Sequence, residues 1–233
     1  MPFFAEIPEP ESELDSGQRQ LYLDVPWQAP QHWLPGNGAL SVTVFRSEHT
    51  AVLLTIGEVY PRGLMLEVVA LLNPEGPDVE ALHHGRSHHG PNPDDLRLGL
   101  LWPDGRRAEA VSQWHGPPPQ QSDDDFHLHP QGSQGGGLVW RWGLWLEPLP
   151  PPGPVEIYVR WDGREIPETS TTADLTTAVA AAADAEELWP LPTHPDDESF
   201  GWMSYSPMSS TVFAARAEED GSGDAADAGD ENG

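Results

Sequence analysis

Two stretches of the chain bring together side chains able to do chemistry. "HHGRSHHG" places His83, His84, His88 and His89 close together, and imidazole is the commonest side-chain ligand for metals. "DDDFHLHP" adds His127 and His129 behind a run of aspartates ending at Asp125. On a strand, alternate residues project to one face. The two rings of an H-x-H pair would then lie side by side, with a nearby carboxylate to complete a site of the non-haem iron kind. Divalent-metal binding, or a metal-dependent enzyme built on it, is the chemistry these residues would support. Such a site needs a rigid frame and a partner for each ring. His83–His89 instead lie among the prolines and glycines of residues 73–95, and the H-x-H pair runs straight into Pro130 and a Gly/Gln-rich stretch, which argues against a strand. On this balance both are solvated loops, and the expectation is a chain without a cofactor, with a divalent metal as the alternative.

Other chemistries fall away on spacing or composition. "GRSHHG" is one residue too long for the G-x-S-x-G nucleophile turn and lacks its strand-then-helix setting. "GSQGGG" precedes a strand, whereas phosphate-cradling glycines follow one and open a helix. The chain has no Cys, so disulfides, thiolate nucleophiles and Cys-ligated zinc are excluded. All eleven basic residues are Arg, which removes Schiff-base lysines and the phosphate lysine of nucleotide-binding loops. Scarce Ile and Asn accompany the missing Lys, as a GC-rich genome would produce.

The net charge is −27, and residues 1–24 and 184–233 hold half of the acidic side chains with only Arg19 and Arg216 against them. The acidity therefore belongs to the chain ends rather than to a folded surface. Nucleic acid is not an expected partner, because its phosphates demand clustered cations and the densest cluster is Arg106-Arg107. The acidic start "MPFFAEIPEPESELDSG" lacks the positive charge and apolar run of a secretory signal, and no apolar stretch reaches the ~18 residues of a membrane span. The expected setting is cytoplasmic, without membrane contact.

The elements that must position these residues are mostly strands. Residues 1–19 are Pro/Glu-rich, and alternation begins at "LYLDVPW". Runs at 39–46, 51–60 and 64–72, separated by SEHT and PRG, read as an antiparallel meander whose middle strand is apolar on both faces. "LRLGLLW" and "RRAEAV" flank PDG as a hairpin. "LVWRWGLWLE" alternates, with Trp140, Trp142, Leu144 and Leu146 on one face and Trp145 on the other, and "VEIYVRW" alternates again. The intervening PLPPPGP is expected to join these two as a hairpin rather than to serve as a docking motif, because it is tied at both ends to apolar strands. "IPETSTT" is a last short strand. Residues 174–189 read as a helix capped by Asp174 or Thr172 and stopped by Pro190, with Leu175, Val179 and Leu188 toward the sheet. The fold class is therefore mainly β: an antiparallel β-sandwich of about 7–9 strands spanning 20–190, with one C-terminal helix.

The run "LWLEPLPPPGPVEIYVRWDGREIPET", followed by an alanine-rich helix ending in "LW", resembles a group of proteins of high-GC, actinobacteria-type bacteria. The resemblance covers residues 20–190. It implies a bacterial cytoplasmic setting and carries no activity, cofactor or site residue.

With chemistry disfavoured, the aromatic residues carry the functional expectation. Of the ten tryptophans, Trp102, Trp140, Trp142, Trp161 and Trp189 fall on core faces or at element ends, where they supply packing bulk. Trp145 points the other way and is the one placed to touch something beyond the main core, another element of the chain before a ligand. The acidic tail, 191–233, carries an apolar island at 200–213 with Phe200, Trp202, Tyr205 and Phe213. It either folds back on its own domain or orders on a partner. The expectation is a non-enzymatic β-sandwich that acts as an interaction or accessory module for a protein partner, the alternative being the His-cluster metal protein or metal-dependent enzyme.

Overall fold

In the computed structural model, residues 25–76, 95–112 and 126–190 are described, all of them within one structural unit, Leu23–Ser209. The strands are β1 (Trp33–Leu34), β2 (Gly36–Arg46), β3 (Thr50–Tyr60), β4 (Gly63–Leu72), β5 (Arg97–Leu101), β6 (Arg107–Val111), β7 (His127–Gly136), β8 (Val139–Glu147), β9 (Pro154–Trp161), β10 (Ile166–Asp174) and β11 (Glu186–Glu187). Among the described residues a single short α-helix, α1 (Thr176–Ala180), continues as a 3₁₀ turn over Ala181–Asp184. The strands form a five-stranded sheet in the order β2-β3-β4-β8-β7, a four-stranded sheet in the order β10-β9-β5-β6, and a two-stranded ribbon of β1 and β11. Every pairing is antiparallel.

The two larger sheets pack face to face, as the mainly β, sandwich-type reading expects. One core unites Val52, Leu54 and Ile56 of β3, Leu64, Leu66 and Val68 of β4, and Trp140, Trp142, Leu144 and Leu146 of β8 with Leu98 and Leu100 of β5 and Val155, Ile157 and Val159 of β9. The period-2 alternation of these strands puts every second side chain on that face. Burying each such side chain is worth roughly 1.5–3 kcal/mol against solvent exposure. Trp140 of β8 meets Trp161 of β9 across the interior, ring centroids 6.0 Å apart. At one end of the sandwich Trp102 meets Phe126 at 4.1 Å.

The meander β2-β3-β4 and the β5-β6 hairpin stand where the sequence puts them, the latter closed by backbone bonds between Trp102, Gly105 and Arg106. Three expectations are corrected. PLPPPGP does not close a hairpin: β8 pairs with β4 and β7 in one sheet and β9 with β5 and β10 in the other. The segment carries the chain from one sheet to the other. Its prolines have no N–H to continue a ladder, and Leu149 within it packs on the core. The H-x-H stretch is a strand after all. β7 is an edge strand that absorbs Pro130 and its glycines through a register shift between Pro130 and Gly132, which an edge permits.

The third correction concerns the helix. It stops at Asp184 rather than running to 189, because Glu186–Glu187 pair with Leu34–Trp33 and the Leu188 amide bonds to the His32 carbonyl. Leu175 and Val179 face the core as expected, whereas Leu188 and Trp189 are exposed. Asp174 caps the helical start by accepting hydrogen bonds from the Thr176 amide at 2.8 Å and from the Thr176 hydroxyl. Gly36 opens β2 because a Cβ there would lie 1.8 Å from the Ala181 carbonyl oxygen, so the helical segment docks directly on the strand backbone. Residues 21–24, the start of the first expected strand, lie outside the described residues; the chain enters at a turn in which the Gln28 amide bonds to the Val25 carbonyl.

Candidate functional site

β8 alternates so strictly that placing Trp140, Trp142, Leu144 and Leu146 in the core forces Trp145 to the outward face of the five-stranded sheet. There it is 0% exposed, yet it stands apart from the main core. The cover is the chain's own entry turn. The Trp145 indole N–H donates to the Pro26 carbonyl at 2.8 Å. The Arg62 guanidinium, 5.9 Å from the ring centroid, donates to the Val25 and Gln28 carbonyls at 2.6 and 2.9 Å, and Gln131 Nε2 donates to the Trp27 carbonyl at 2.8 Å. Four consecutive carbonyls are thus held by three side chains from three strands or their turns. Tyr60 meets the indole edge to face at 5.7 Å, and a Cβ on Gly63 would come within 2.5 Å of the indole. Trp145 therefore contacts something beyond the main core, and that something is a segment of the same chain; the ring offers no exposed surface to an outside partner.

One group titrates in an unusual setting here. Burial, reinforced by the carboxylate of Glu58 that accepts from the Tyr60 hydroxyl at 3.0 Å, pushes the phenol well above its ordinary range. The phenol consequently stays neutral as a donor.

His127 and His129 share the same outward face, on the neighbouring edge strand. Their ring centroids lie 6.1 Å apart, His127 is the register partner of Glu147, and His129 that of Trp145. His129 Nε2 lies 3.0 Å from Glu147 Oε1. A carboxylate can only accept, so Nε2 carries the proton and is committed to Glu147. Among the described residues no group of three or more His, Cys, Asp or Glu side chains is arranged to hold a metal ion. The structure thus brings His127 and His129 together with a carboxylate and engages the pair internally. His83, His84, His88 and His89 lie outside the described residues, as do Phe200, Trp202, Tyr205 and Phe213.

A histidine that sequence reasoning passed over is His32, 9% exposed beside β1. Its Nε2 accepts the Trp33 indole N–H at 3.0 Å. The same Nε2 lies 3.7 Å from Glu187 Oε1. A single His in a loop gives no sequence signal of such a role. The ribbon beside it also carries much of the exposed apolar surface: Leu34 at 52%, Leu188 at 39% and Trp189 at 66%. Leu34 and Leu188 project to the same side of the ribbon, because Leu34 opposes Glu186 and the Leu188 amide bonds back to His32.

No family model, curated protein or solved structure matches the chain. No helix among the described residues is long and apolar enough to cross a membrane.

Proposed function

We propose that the domain is a non-enzymatic β-sandwich that works as an interaction or accessory module in a bacterial cytoplasm, recognising a protein rather than nucleic acid or membrane. The observation that carries this reading lies at the β1–β11 ribbon, where Leu34 of β1 and, directly after β11, Leu188 and Trp189 stand exposed outside the main core. Exposed aromatic and aliphatic side chains are usual anchors of protein interfaces. The backbone at Leu34 and Leu188 is fixed by the ribbon pairing and by the Leu188–His32 bond, so these two side chains are presented with little ordering left to do on binding.

The test is quantitative co-purification of the chain from its native cells, with the triple variant Leu34→Ser, Leu188→Ser, Trp189→Ser beside the parent. The reading expects one protein at a reproducible stoichiometry with the parent and its loss from a variant of unchanged melting temperature. An unchanged co-purifying protein, or none with either chain, overturns it.

A metal-binding function is the second reading, favoured by the adjacency of His127, His129 and Glu147 on one sheet face. Elemental analysis of tag-free protein separates the two. About one equivalent of Zn, Fe or Ni, lost in a His127→Ala, His129→Ala variant, would move the assignment to metal chemistry.

A further inference from the structure

A sandwich needs one apolar face per sheet, and the four-stranded sheet keeps to this: its outward side chains include the ion pairs Arg97–Glu109 and Arg160–Asp162. The five-stranded sheet does not. Beyond the end shielded by the entry turn, its outward face carries Ala51 and Leu53 of β3, Val69 and Leu71 of β4, and Val139 of β8, none of them part of the main core. The register makes them neighbours. Leu53 opposes Val69, Ala51 opposes Leu71, and Leu71 opposes Val139. On the next strand Gly136 opposes Val139, so no side chain screens that border. Of the charges alongside, Glu67 and Arg141 neutralise one another at 2.6 Å, and Arg46 of β2, opposite Ala51, stands at the outer border. Two-sided apolar character in an antiparallel sheet marks a face that is covered.

We infer that the cover is the chain's own segment Phe200–Met208. Its sequence, FGWMSYSPM, has five large apolar side chains in nine residues and no charge, which suits the apolar centre formed by Leu53, Val69 and Leu71. It begins ten residues after Pro190, a tether that reaches roughly 33–36 Å when extended. A short tether supplies an effective concentration on the order of millimolar, so the segment competes on its own domain ahead of a second copy or another protein. This inference concerns a different surface from the ribbon and stands or falls separately.

Because the chain has no cysteine, a designed pair reports proximity cleanly. Thr43 of β2 opposes Leu53 and borders the face, whereas Thr172 of β10 opposes Glu156 on the other sheet's solvent side. Full-length Thr43→Cys, Ser204→Cys and the control Thr172→Cys, Ser204→Cys are oxidised at micromolar concentration and resolved by non-reducing electrophoresis and mass spectrometry. The inference expects an intramolecular disulfide in the first chain in at least tenfold excess over the control. Adding Leu53→Glu and Leu71→Glu should bring the yield down to the control level. Equal yields in the two chains, or disulfides formed only between chains, overturn it; the second outcome would assign the face to a second copy.

Discussion

Replacing Trp145 discriminates a structural cover from a ligand-contact aromatic. Trp145→Phe keeps an aromatic ring against Tyr60 and the Arg62 guanidinium but deletes the indole N–H that holds the Pro26 carbonyl and part of the buried ring. The lost hydrogen bond is worth about 0.5–1.5 kcal/mol net. Roughly 40–50 Å² of apolar surface no longer buried adds about 1 kcal/mol at ~25 cal/mol per Å². The sum is about 2 kcal/mol, and a domain of this size loses roughly 2–4 °C of melting temperature per kcal/mol, so a fall of about 4–8 °C is expected by circular dichroism. Trp145→Ala should cost about 3–5 kcal/mol, the range for emptying a large aromatic site. Hydrogen exchange adds the local readout: amides of residues 25–32 should exchange faster in Trp145→Phe while those of β3 and β9 keep their protection at matched stability. A ligand-contact aromatic would behave oppositely, since removing it spares the fold. A Trp145→Phe melting temperature within about 1 °C of the parent, together with unchanged exchange at 25–32, would refute the argument that this ring holds the entry turn.

Two further outcomes follow from the same geometry. Gly36→Ala places a methyl 1.8 Å from the Ala181 carbonyl and should destabilise by roughly 1–3 kcal/mol or more as the helical segment is pushed off β2, whereas Gly57→Ala meets nothing within 4 Å and should be neutral or slightly stabilising in denaturant titrations; equal midpoints for the two would show that the helical segment does not rest on β2. Tyr60 is held neutral in the folded state while an unfolded tyrosine ionises near pH 10, so its contribution is complete below about pH 10 and is lost as pH rises above it; the alkaline limb of the stability curve should be shallower in Tyr60→Phe, and an unchanged limb would remove the phenol from the account.

Much of the sandwich is legible because local pattern and burial agree. Val52, Leu54 and Ile56, or Trp140, Trp142 and Leu144, alternate so regularly that a strand with one buried face is the one arrangement that shelters them. Alternation says which face is inward but not which strand lies alongside. Leu146 and Val155 look like the two arms of a hairpin around PLPPPGP, yet they enter the same core from opposite sheets. Likewise the alanines of 178–183 carry a real helix signal, while the fate of Glu186–Glu187 is decided by Trp33 and Leu34, more than 150 residues earlier in sequence. Pro130 and the glycines of β7 conceal a strand because ladder bonds to β8 outweigh weak intrinsic propensity at an edge.

The same division governs the candidate site. That Trp145 faces away from the core is written in the parity of β8. What it meets is not, since the Pro26 carbonyl lies 119 residues upstream and nothing in "VPWQ" announces that Arg62, Gln131 and Trp145 will converge on its backbone. Carbonyls are common to every residue, so a contact made through them leaves no sequence signature. Side chains whose type matters do leave one, which is why the H-x-H pair could be singled out before its frame was known. The outward face of the five-stranded sheet joins both cases. At one end, backbone carbonyls of the entry turn close over an aromatic ring. At the other, Leu53, Val69 and Leu71 form an apolar surface that the solvent-facing ion pairs of the opposite sheet show to be no general property of this fold. The outward face of the five-stranded sheet thus sets these apolar side chains beside the Glu67–Arg141 pair, and it is this apolar part that the inferred cover would shelter from water.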